Sequence, residues 1–106
     1  MNPFDALKVA QKLQEQMADM QEKLGKTVCT GSAGGGMVQI DMNGKMEVLA
    51  VRIAPETLTE VDRELLQDLI KAAFSDATEK VRQQLQTEMG SLMGALGLPP
   101  GMWGLG

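Results

Sequence analysis

Met37-Val38-Gln39-Ile40-Asp41-Met42, then Asn43-Gly44, then Lys45-Met46-Glu47-Val48-Leu49-Ala50-Val51-Arg52-Ile53: the fold is decided by this stretch. Its first arm alternates apolar and polar residues, the pattern of a strand with two unlike faces. Asn-Gly is the strongest short hairpin signal, and the second arm returns rich in β-branched residues. A two-residue loop would pair Met42 with Lys45, Ile40 with Glu47 and Val38 with Leu49. One face then gathers Val38, Ile40, Leu49, Val51 and Ile53. The other holds Met37, Met46, Val48 and Ala50 among polar neighbours, so both faces of the sheet need some cover.

Working outward, Lys26-Thr27-Val28-Cys29-Thr30 is β-favouring, and Gly31-Ser32-Ala33-Gly34-Gly35-Gly36 reads as a flexible connection. Upstream, residues 3 to about 24 read as a helix. Asn2 is a good N-cap, Pro3 suits the first helical position and Gly25 suits the stop. Leu13, Met17, Met20 and Leu24 form one apolar seam, extended by Ala6 and Ala10. That seam fits either the chain's own sheet or a partner helix, because so few turns do not decide between them.

Downstream, Pro55 ends the strand and Pro55-Glu56-Thr57-Leu58 makes a turn. Thr59 is expected to cap a long helix, with Asp62 completing a weak capping box. Leu66, Leu69, Ile70, Ala73, Ala77, Val81 and Leu85 recur at helical spacing, and the pattern runs from about 60 to 89 before Gly90 and Gly94 weaken it. Some thirty helical residues span about 45 Å, against about 17–20 Å for a strand. The helix must overhang the sheet, and a symmetric second copy is the simplest cover for what it leaves bare. Residues 95–106 are Gly- and Pro-rich and read as a tail outside a single 1–94 domain, either loosely packed or docking as a peptide.

Composition narrows the chemistry. The 106 residues suffice for one domain with a modest core, and no run of eighteen apolar residues is present, so no membrane span is expected. The first residues lack the basic end and apolar stretch of a secretory signal. One Cys, Cys29, makes no internal disulfide, which fits a reducing cytoplasm. With no His, His-based catalysis and His metal sites are excluded, and a lone Cys builds no zinc cluster. Gly25-Lys26-Thr27 looks like the end of a phosphate loop, but Met20 stands where the earlier Gly is needed, and a helix precedes it. No enzyme, metal or cofactor is expected. The net charge is −4, and no segment is a basic block of the kind that marks many nucleic-acid binders.

Taken together, several stretches resemble the YbaB/EbfC family of nucleoid-associated proteins. They are Gly31-Ser32-Ala33-Gly34-Gly35-Gly36-Met37-Val38, Asn43-Gly44, Val51-Arg52-Ile53-Ala54-Pro55-Glu56, Asp68-Leu69-Ile70-Lys71-Ala72-Ala73-Phe74-Ser75-Asp76-Ala77 and Gly97-Leu98-Pro99-Pro100-Gly101-Met102. With the Gln-, Met- and Lys-rich first helix, the resemblance covers nearly the whole chain. It implies an α+β fold of order α-β-β-β-α, a three-stranded antiparallel sheet with two long helices, in an intertwined homodimer whose helices project like tweezers. It also implies cytoplasmic, nucleoid-associated binding of double-stranded DNA with influence on gene expression.

No family motif fixes contact residues. If DNA is gripped between helices, the candidates are Lys8, Lys12 and Lys23 on the first helix and Lys71, Lys80 and Arg82 on the second. Each also reads as solvated surface with an acid partner at i,i+4. Positive charge is least offset at Lys8, Lys12 and Lys80. Such bases would touch phosphates and read few bases. The acidic balance favours a second reading, a non-enzymatic adaptor that joins replication or recombination proteins through its tail and Met-rich surface.

Overall fold

The computed structural model describes residues 2–95 and Gly97; the expected tail otherwise lies outside the described residues. The element order is α1 (Pro3–Lys26), β1 (Val28–Ala33), β2 (Val38–Asn43), β3 (Val48–Ile53), the short α2 (Thr57–Glu60) and α3 (Arg63–Ala95). The three strands form one antiparallel sheet in the order β1-β2-β3. This is the α+β layout expected, with α2 added.

Asn2 caps α1 as its position foretells: its side-chain oxygen accepts the Asp5 N–H at 2.9 Å. The helix runs one residue past Gly25, and the Thr27 hydroxyl, donating to the Lys23 carbonyl at 2.8 Å, closes its end. At α3 the capping residue differs from expectation. Asp62, not Thr59, accepts the Leu65 N–H at 2.8 Å, while Thr59 donates its hydroxyl to the Glu56 carbonyl at 2.9 Å. Helix α3 also continues through Gly90 and Gly94 to Ala95.

The hairpin turn is longer than the sequence suggests. Asn43 is still in the ladder, donating its N–H to the Glu47 carbonyl at 3.0 Å, so Gly44, Lys45 and Met46 form a three-residue loop. Met46 takes the left-handed conformation, φ 65°, that such a loop requires at its last position. A bulge follows: Asp41 faces Ala50 but Met42 faces Val48, leaving Leu49 as the extra residue. Val38 therefore lies opposite Ile53 and Ile40 opposite Val51, not opposite Leu49 and Glu47. The expected faces change accordingly, with Val48 joining the Met42 side and Leu49 leaving the row.

Asn43 organises this turn. Its side-chain oxygen accepts the N–H groups of Lys45 and Glu47, both at 3.0 Å, and its amide donates to the Gly25 carbonyl and the Glu47 carboxylate. The next residue, Gly44, donates to the Leu24 carbonyl at 2.8 Å, where a Cβ would lie only 2.8 Å from that same oxygen. Glycine is needed here for close approach, not for a positive φ.

The core lies between the sheet and α3. Val38, Ile40 and Met42 of β2 meet Ala73, Ala77 and Val81 of α3, all buried, with Leu66, Leu69, Ile70 and Leu85 packed at the margin. This is the helical stripe that the spacing identifies. Strand β1 also extends further than expected. Gly31-Ser32-Ala33 belongs to the ladder, and the turn is made by Gly34, Gly35 and Gly36, all at positive φ, with Met37, which the sequence assigns to the next strand. The β1 backbone at Gly31 runs directly under α3. A Cβ there would collide with the Ala73 carbonyl and the Ala77 amide, and would sit 2.6 Å from the Ala77 Cβ.

Gly31→Val is therefore expected to destabilise the fold by at least about 3 kcal/mol, the upper end of typical overpacking costs. Urea unfolding followed by circular dichroism measures it, and a destabilisation below about 1 kcal/mol would mean that the strand and helix can move apart freely.

Candidate nucleic-acid interface

Helix α3 lies over β1 and β2, and a row of polar contacts fixes it there. The Asp76 carboxylate accepts the Ser32 N–H at 2.9 Å, and Lys80 donates to the Thr30 carbonyl at 2.9 Å while lying 3.1 Å from Asp76. The Ser32 N–H, and next the Lys80 ammonium, hold the Asp76 carboxyl below its usual range. On the outer sheet face, Arg52 grips Asp41 from the next strand and Thr30 adds a hydroxyl, which lowers the Asp41 carboxyl likewise.

Beyond the sheet, α1 and the last turns of α3 run side by side as a projecting arm. Lys23 and Glu88 join them at 2.9 Å, and Lys23 is the main reason the Glu88 carboxyl is lowered. The radius of gyration is 19.4 Å, against about 13 Å for a compact chain of this length. The chain is thus much too elongated to bury its own apolar faces.

The six sequence candidates do not converge on one patch. Lys8 and Lys12 sit one turn apart on the arm's exposed α1, and neither has a carboxylate within 4 Å among the described residues. Lys71 and Arg82 are exposed on α3 and likewise unpaired among the described residues. Helical spacing puts both on the flank away from β1. Lys80 lies on the opposite flank in the β1 contact, and Lys23 is held by Glu88. Of the ten Lys and Arg residues, four are paired with acids among the described residues: Lys23, Lys26, Arg52 and Lys80. Among the other six is Lys45, which sequence reading passed over. It is exposed at the hairpin tip, with its aliphatic stem beside Gly25. Only the packing of the loop on α1 shows that this base stands at the root of the arm.

Among the described residues, no group of three or more His, Cys, Asp or Glu is placed to hold a metal, and no helix is long and apolar enough to cross a membrane. What the arrangement offers is a projecting helical arm with uncompensated lysines on its outside. Comparison with known proteins gives the arm its context. Residues 1–96 match the model of the YbaB/EbfC DNA-binding family.

The chain belongs to that family.

Curated relatives agree. A nucleoid-associated protein of Dictyoglomus thermophilum is 46% identical over 96% of this chain and 98% of its own. One from Bradyrhizobium diazoefficiens is 43% identical over 92% of each chain. One from Xanthomonas campestris is 46% identical over 95% of this chain and 93% of its own. An uncharacterized Helicobacter pylori protein of known structure shares the fold, with a TM-score of 0.75 at 22% identity over 88% of this chain and 98% of that one. The YbaB/EbfC family is a DNA-binding family and not a family of enzymes.

Asp41, Asp76 and Glu88 all have depressed carboxyl pKa values in the folded chain. The stability they contribute is complete above the ordinary carboxylate range and is lost as pH falls through their lowered folded values. Thermal melting from about pH 7 down to about pH 2 should show a midpoint that falls only once pH enters that acid range. Asp76→Asn should shrink the fall; an unchanged acid limb would show that the Ser32 and Lys80 contacts contribute nothing to it.

Proposed function

We propose that this chain is a nucleoid-associated protein of the bacterial cytoplasm. It binds double-stranded DNA as a homodimer and influences nucleoid organisation or gene expression. Membership of the DNA-binding family carries the proposal. The exposed, unpaired Lys8 and Lys12 on the projecting arm support the way it binds. Contacts are to phosphates, supplied first by Lys8 and Lys12 and then by Lys71 and Arg82. Lys23 and Lys80, held by Glu88 and Asp76, contribute less. With net charge −4 per chain, long-range repulsion keeps the affinity low and salt-sensitive.

Dimerisation rests on the uncovered edge of the sheet. Val48, Leu49 and Val51 of β3 are each about half exposed, as is Phe74 on the flank of α3 away from Asp76 and Lys80. An edge strand that leaves both backbone and apolar side chains open is a ready surface for a second copy. Sedimentation equilibrium should give twice the mass of one chain, and Val51→Asp should shift the population to single chains. A monomeric unmodified protein would refute the dimer.

Fluorescence anisotropy of a labelled duplex, titrated across about 25 to 200 mM salt, tests DNA binding. Binding should weaken steeply with salt. Lys8→Gln and Lys12→Gln each remove one cation per chain from the phosphates, hence two per dimer, and each should make the log–log slope shallower by about 1.8. No binding by a confirmed dimer at the lowest salt would favour the second reading, an adaptor for replication or recombination proteins. The acidic balance and the exposed Met17, Met46 and Met89 favour that reading.

A further inference from the structure

The arm has an unfinished end. Leu13, Met17 and Met20 of α1 and Met89 and Leu92 of α3 line an apolar cleft of about 280 Å³. Past Leu92, α3 has barely a turn left. Ala95 is its last residue, and Gly97, at φ 75° with its N–H on the Gly94 carbonyl at 3.0 Å, makes the left-handed stop. The seam of α1 does not stop with it. From Met17 back to Ala6 it continues for about 16 Å, through Leu13 and Ala10. Leu13 and Met17 are 49% and 61% exposed.

The chain that leaves α3 at this point matches the seam in chemistry and in reach. Residues 96–106 contain no charged side chain and carry Leu96, Leu98, Met102, Trp103 and Leu105. From Gly97, nine residues can span up to about 30 Å, well beyond the length of bare seam. Ala6 and Ala10 are short, so a bulky ring can lie close against the helix there.

We propose that the segment 98–106 docks on α1 of its own chain, with Trp103 seated over Ala6, Ala10 and Leu13, and so completes the apolar strip that α3 covers only in part. This stands apart from DNA binding, since helical spacing puts Lys8 and Lys12 off the seam on α1.

Trp103 is the sole tryptophan, so its emission and acrylamide quenching read the contact directly in the full chain. A blue-shifted emission with several-fold protection from acrylamide is expected. Leu13→Asp or Ala10→Glu should abolish both without loss of helical circular dichroism. Gln11→Glu, a similar charge change off the seam, should leave them intact. A solvent-exposed emission in the unmodified protein, or protection insensitive to both seam variants, would overturn the proposal. Co-refolding the Leu13→Asp chain with excess Trp103→Phe chain separates own-chain from cross-chain docking. Own-chain docking leaves the indole exposed, whereas regained protection would place the tail on another copy and refute the assignment.

Discussion

The close approach between the β1 backbone at Gly31 and α3 at Ala73 and Ala77 determines how everything else is arranged. With no side chain on the strand and a single methyl at each helix position, the two backbones come near enough for Asp76 to take the Ser32 N–H and Lys80 to reach the Thr30 carbonyl. These contacts hold α3 over β1 and β2. That placement leaves β3 half bare, and it points the rest of a 33-residue helix away from the sheet alongside α1. The open edge strand and the projecting arm are consequences of where one glycine sits.

The elements were legible in the sequence because their signals are periodic or chemical. The Ala73–Ala77–Val81 stripe, the Asn2 cap and the alternation through β2 each name their structural role directly. The errors cluster at glycines. Gly31 reads as a flexible joint and Gly44 as half of a tight turn, since a sequence shows the missing Cβ but not whether conformation or contact requires its absence. In both cases contact requires it, against α3 and against the end of α1. The hairpin register followed from that misreading. Once Gly44 is pinned to α1, the left-handed position falls on Met46 and every pair in the ladder moves.

The candidate interface was harder to read for a different reason. Charge counts treat all bases alike, but the fold sorts them. Lys23 and Lys80 are neutralised by Glu88 and Asp76, residues 65 and 4 positions away, whereas Lys8 and Lys12 keep their charge. A net charge of −4 thus coexists with an arm whose outer face carries unpaired cations. Lys23 is set apart from the available lysines only by α1 and α3 lying side by side, whereas Lys80, which the sequence reads as among the least offset bases, is paired one turn back with Asp76 within α3.

The joint between Asn43, Gly44 and the end of α1 gives the arm the mechanics of a lever. Hydrogen bonds from Gly44 and Asn43 to Leu24 and Gly25 fix one end of α1, and the 24-residue helix extends from there for about 36 Å. At that length, a tilt of about 5° at the joint carries the far tip through about 3 Å. The position of the arm's tip is therefore set less by the residues along it than by the three-residue hairpin loop at its base.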